Sequence, residues 1–153
     1  MLKRFVLAVL GTILFFGNAR VFAQPAIVIN HTQMGLGTEK LGEAPACSCV
    51  DTLKITVTNN TGVTWTDYRI QFITHLDAGG PNDRVRITEY TVTAGPFRTV
   101  TINANNNKLV GGRRRAVLTL SRGMVPQGGS FKIRVRVLHD ATIDVNGTPS
   151  VSH

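Results

Sequence analysis

An all-β domain, a single antiparallel sandwich of about seven to nine strands, is the fold class that three features of this sequence predict. Apolar and polar residues alternate with a period of two, most plainly in Phe131-Lys132-Ile133-Arg134-Val135-Arg136-Val137, the pattern of a strand buried on one face. Such segments are short and punctuated by Gly, Asn, Pro and Asp, residues that favour turns. Helical periodicity is almost absent.

The N-terminus carries Lys3 and Arg4, an apolar run from Phe5 to Phe16, and Val21-Phe22-Ala23 at the usual cleavage positions. That arrangement reads as a secretory signal peptide over residues 1–23. The run falls short of the roughly 20 residues that span a bilayer. Residues 24–153 are then expected to form one β-sandwich domain, secreted, periplasmic or held at the cell surface, with no transmembrane segment in the mature chain.

Strands are expected in order along this domain. Ala26–Asn30 is apolar and β-branched. Leu53–Asn59 points Leu53, Ile55 and Val57 inward and Lys54, Thr56 and Thr58 outward, and Asp67–Thr74 buries Tyr68, Ile70 and Phe72. Val85–Val92 changes phase, from Val85 and Ile87 to Tyr90 and Val92, which predicts a bulge near Thr88 or Glu89. Arg98–Asn103 contributes Val100 and Ile102, Arg115–Ser121 contributes Leu118 and Leu120, and Phe131–His139 contributes Phe131, Ile133, Val135 and Val137. Thr142–Val145 is a final short strand. Thr32–Pro45, with three glycines, reads as a loop or crossing, and Asn103–Gly112 as a turn region.

Two stretches resemble a known group. Ile55-Thr56-Val57-Thr58-Asn59-Asn60-Thr61-Gly62 followed by Trp65-Thr66-Asp67-Tyr68, and Val125-Pro126-Gln127-Gly128-Gly129-Ser130-Phe131 downstream, are similar to strand and turn motifs of secreted bacterial immunoglobulin-like or fibronectin-type β-sandwich domains. Exoproteins of the PEP-CTERM class carry such domains, although Thr148-Pro149-Ser150-Val151-Ser152-His153 has no sorting motif. With no Gly-x-Ser-x-Gly elbow, HExxH helix or P-loop in the sequence, no enzymatic activity and no cofactor are expected. The resemblance implies an immunoglobulin-like sandwich and export, and almost nothing about chemistry. On it rests the expectation of a structural or adhesive module of the cell surface or extracellular matrix. Fold alone does not specify chemistry.

Charge carries the sharper functional signal. Between Arg84 and Arg136 lie eleven Lys or Arg residues and one acid, Glu89, while residues 24–83 and 137–153 are net acidic. If Arg84 and Arg86 share a sheet face with Lys132, Arg134 and Arg136, they form a basic surface, to which Arg113, Arg114 and Arg115 would add a mobile loop cluster. Such a surface suits an anionic polysaccharide or cell-surface polymer. Nucleic acid fits less well, because no set of exposed aromatics is evident for stacking bases. The competing reading is that outward strand positions are polar in any sandwich and that charged edges block aggregation.

The remaining motifs carry less. Cys47 and Cys49, the only cysteines, are expected to pair as a local disulfide in an oxidising compartment, with an intermolecular bond or a soft-metal site as alternatives. No metal site is assigned. The loop from Asp77 to Asp83 has oxygen-bearing side chains that could wrap calcium, but turn composition alone explains it. His139-Asp140 is the one adjacent His and acid pair, with no nucleophile motif to complete a triad. The apolar Ala26–Asn30 segment either pairs within its own sandwich or self-assembles by strand addition to a neighbour.

Overall fold

The computed structural model describes residues 25–34, 49–75, 83–103 and 107–151. Among the described residues nine strands form two sheets: β1 (Ala26–His31), β2 (Cys49–Asn59), β3 (Asp67–Thr74), β4 (Val85–Ala94), β5 (Thr99–Ile102), β6 (Lys108–Val110), β7 (Arg113–Ser121), β8 (Ser130–His139) and β9 (Ile143–Ser150). The first sheet runs β1-β2-β8-β4 and the second β5-β7-β3-β9, with β6 pairing β7. Among the described residues there is no helix long and apolar enough to cross a membrane. The expected signal peptide at 1–23 lies outside the described residues.

The period-two alternation produces the core directly. Leu53, Ile55, Val57, Ile133, Val135 and Val137 from the first sheet meet Tyr68, Ile70, Phe72, Leu118 and Leu120 from the second, all of them buried. A run of rings threads this core. Phe97 lies 5.1 Å from Phe131, Phe131 4.9 Å from Tyr68, Tyr68 5.5 Å from Trp65, and Trp65 5.2 Å from His31. Most are edge-to-face contacts, the favoured arrangement of aromatic pairs. The resembling motif has a structural purpose here: buried Trp65 donates its Nε1 proton to Thr61 Oγ1 at 3.1 Å, and its backbone bridges Val125 of the second motif.

Four expectations need correction. The sandwich is not wholly antiparallel, since β1 pairs β2 in parallel, Ala26 opposite Lys54 through His31 opposite Asn59. Parallel neighbours need a crossover of a dozen or more residues, and residues 32–48 supply that length. β6 falls inside the stretch expected to be only a turn. Gly111 and Gly112, at φ +57° and +79°, form the two-residue hairpin between β6 and β7, the geometry that favours glycine at both positions. β9 extends to Ser150 through Gly147 and Pro149, residues that read as strand breakers. As an edge strand it tolerates proline, and Gly147 is required because a Cβ there would collide with the Tyr68 hydroxyl. The fourth correction, to Arg113–Arg115, concerns the site.

The phase change in β4 is present. Its register to β8 shifts between Ile87 and Glu89, and again between Val92 and Ala94. Tyr90 consequently returns to the inter-sheet side, where its hydroxyl donates to the Val100 carbonyl at 3.1 Å.

Candidate ligand-binding face

Strand adjacency brings the basic residues of β4 and β8 together. β8 lies between β2 and β4, so three rows of outward side chains run across the first sheet. One row is Val28, Thr56 and Lys132, ending at Ala94; the next is Ala26, Lys54, Arg134 and Thr91. The third is Thr52, Arg136 and Glu89, and beyond it Arg86 stands opposite Leu138. Lys54, Arg86, Lys132, Arg134 and Arg136 are all exposed, while their strand neighbours Leu53, Ile55, Val85, Ile87, Phe131, Ile133, Val135 and Val137 are buried. Alternation and burial together hold the five cations on one face.

Lys54 is the member that sequence reasoning missed as a site residue. Its outward parity was evident, but its place directly opposite Arg134 depends on β2 and β8 being neighbours. Among the described residues the outward side of these strands sets one acid, Glu89, against the five cations, and it accepts from Arg136 Nη1 at 3.0 Å. Both partners are about half exposed, so this pair restrains Arg136 without removing it from solvent.

Arg84, just before β4 at the end of the same sheet, is taken up by an acid. Its Nε donates to Asp140 Oδ2 at 2.6 Å and its Nη2 to Asp140 Oδ1 at 2.9 Å, a two-pronged pair that the Arg84 backbone N–H reinforces at 3.1 Å. The hydrogen bond to Asp140, and secondarily its charge, hold the Arg84 guanidinium above its ordinary pKa against a small desolvation effect. Engaged in this way, Arg84 adds little to the face. Arg84→Ala is expected to leave retention on an anionic column unchanged, read as the salt concentration at elution.

Arg113, Arg114 and Arg115 do not form a mobile loop cluster. They are the first residues of β7, in the second sheet, because the Gly111-Gly112 hairpin is too tight to leave a loop. Arg113 Nε donates to the Thr74 carbonyl at 2.5 Å and its Nη2 to Asp144 at 2.8 Å. Arg114 Nη1 donates to the Asn107 carbonyl at 3.1 Å. Arg115 stands opposite Ile73, with its Nε buried. Arg113 and Arg115 have the parity opposite to core-facing Ala116, Leu118 and Leu120, which puts them on the far side of the sandwich from Lys132 and Arg134.

The other candidates separate. His139 is fully buried, with Nδ1 at 2.9 Å from the Ala141 carbonyl and Nε2 at 3.0 Å from Asp51 Oδ2, whereas Asp140 turns to Arg84. They therefore do not act as a pair. No group of three or more metal-ligating side chains occurs among the described residues. Cys47 and most of the 77–83 loop lie outside those residues, so the disulfide and calcium expectations fall there. Ala26–Asn30 pairs with β2 of its own sheet.

Two shallow depressions mark the face itself. One, of about 370 Å³, is centred among Ala26, Val28, Lys54, Thr56, Lys132 and Arg134. The second, of about 290 Å³, is lined by Thr52, Glu89, Arg134 and Arg136. Arg134 borders both. A more open cleft of about 660 Å³ lies between Arg98 and Arg122, but the Asp67 carboxylate lines it as well. Comparison with known protein families, curated proteins and solved structures returned no match to this chain.

Proposed function

We propose that this is an exported adhesive module that holds an anionic polysaccharide or similar cell-surface polymer on the outer face of its β1-β2-β8-β4 sheet. The observation that carries the reading is the convergence of Lys54, Arg86, Lys132, Arg134 and Arg136 from three adjacent strands onto that face. Residues two apart on a strand are spaced about 7 Å, and strands are about 4.8 Å apart, so the cations form a closely spaced lattice. Such a lattice suits a repeating polyanion that contacts several charges together, since exposed single pairs contribute little. The signal-like N-terminus supports export, where such polymers occur.

The test is retention on a sulfated-polysaccharide column. The face carries five cations against Glu89, and the double variant Lys132→Glu/Arg134→Glu takes its net charge from +4 to zero. Both residues are exposed on a strand whose alternate residues make the core, so folding should survive, as a thermal melt would verify. Wild-type protein is expected to elute only at raised salt and the double variant near the void. Equal elution of the two proteins would overturn the reading.

A further inference from the structure

The depression of about 370 Å³ on the basic face is not a uniform patch of charge. Thr56, half-buried, forms its floor, and the long side chains of Lys54, Lys132 and Arg134 rise around it from β2 and β8. On the β1 side the wall consists of Ala26 and Val28, and Val28 is 55% exposed. Atoms lining the hollow are mostly apolar. A β-branched apolar residue left this open beside three cations costs exposed hydrocarbon and is not explained by edge protection, which favours charge or proline on the outermost strand. The parallel register puts Val28 opposite Thr56 and Ala26 opposite Lys54, so the apolar and cationic walls face one another across a single cup. A polymer offering anionic groups alone would leave the apolar wall uncovered.

We propose that this cup takes an acidic sugar carrying an acyl substituent, the carboxylate or sulfate contacting Lys54, Lys132 and Arg134 and the acyl methyl covering Val28 and Ala26. This rests on the basic face being the binding surface and names the substrate class for it. The second depression, lined by Arg134, Arg136, Glu89 and Thr52 without an apolar wall, then accepts the next, unsubstituted, unit of the same polymer.

The test compares polygalacturonate with its O-acetylated form, each titrated calorimetrically into the full chain and into Val28→Thr. Threonine keeps the β-branched shape on an exposed strand position, so the variant should fold as the wild type does. Burial of one methyl group is expected to make the acetylated polymer bind about fourfold tighter to wild type. In Val28→Thr the preference should fall below about twofold. Equal affinity of wild type for both polymers, or a preference that Val28→Thr leaves intact, overturns the acyl assignment alone. Binding to neither polymer overturns the basic-face reading and the acyl assignment with it.

Discussion

Asn59→Ala is expected to destabilise the fold by about 3 kcal/mol, read as a lowered urea midpoint at unchanged slope. Asn59 ends β2 fully buried, and its side chain is bonded at both ends. Nδ2 donates to the Val63 carbonyl at 2.7 Å and to the Val125 carbonyl at 2.8 Å. Oδ1 accepts from the Thr61 backbone at 3.0 Å and from Thr61 Oγ1 at 2.7 Å. Thr61 Oγ1 in turn accepts from Trp65 Nε1, so one amide fixes the 60–64 turn, the seat of the tryptophan and the approach of the β7–β8 connection. Truncation takes the amide partner from the Val63 carbonyl and the Thr61 N–H and one of two donors from the Val125 carbonyl, which keeps the Trp65 N–H at 3.0 Å, and each unsatisfied buried group costs about 1–3 kcal/mol. Asn60, the same residue type one position on, is exposed, and Asn60→Ala should stay within about 0.5 kcal/mol of wild type. A loss below about 1 kcal/mol for Asn59→Ala would remove this account of the motif.

Asn59 also illustrates what was legible in the chain. The Asn-Asn-Thr-Gly and Trp-Thr-Asp-Tyr segments stand out in sequence, but only the fold shows that Asn59 and Trp65 both reach Val125, more than fifty residues away. Side-chain parity was readable because it is local: a period of two assigns Leu53, Ile70, Leu118 and Val135 to the core wherever their strands lie. Partner choice is not local. Nothing within Ala26–His31 specifies that it pairs in parallel, and nothing within β4 specifies that β8 is its neighbour. The basic face was therefore visible as two half-sites whose union depended on sheet order, and Lys54 was hidden from it for the same reason.

Composition misled where tertiary context overrode a local signal. Lys108-Leu109-Val110 is too short and too closely flanked by Asn and Gly to read as a strand, yet it pairs with Arg113–Arg115 across a two-glycine turn. Gly147 and Pro149 interrupt the pattern of β9, but one makes room for Tyr68 and the other stands on an edge strand. The bulge at Thr88 was readable because a phase change in apolar residues has few other causes.

The basic window divides into residues that build the fold and residues that face outward, and Arg113→Met separates them. Arg113 is largely covered and joins the end of β3 to β9, donating to the Thr74 carbonyl and to Asp144. Asp144 also accepts the His75 contact at 2.8 Å, so the arginine completes a three-residue cluster that ties β3, β7 and β9 at one end of the second sheet. Methionine keeps much of the aliphatic stem but removes both donors, leaving a backbone carbonyl and one carboxylate oxygen without them. Charged hydrogen bonds contribute about 1.5–3 kcal/mol, reduced here because Asp144 keeps His75 and some solvent, so a loss of about 2 kcal/mol is expected in a urea melt. Retention on the sulfated column should not change, because Arg113 lies on the opposite side of the sandwich from Lys132 and Arg134. The Lys132→Glu/Arg134→Glu variant should show the reverse: stability within about 0.5 kcal/mol of wild type and retention lost. If Arg113→Met released the protein from the column while leaving its stability intact, the charge of the window would be acting as a diffuse whole, and the division by sheet face would fail.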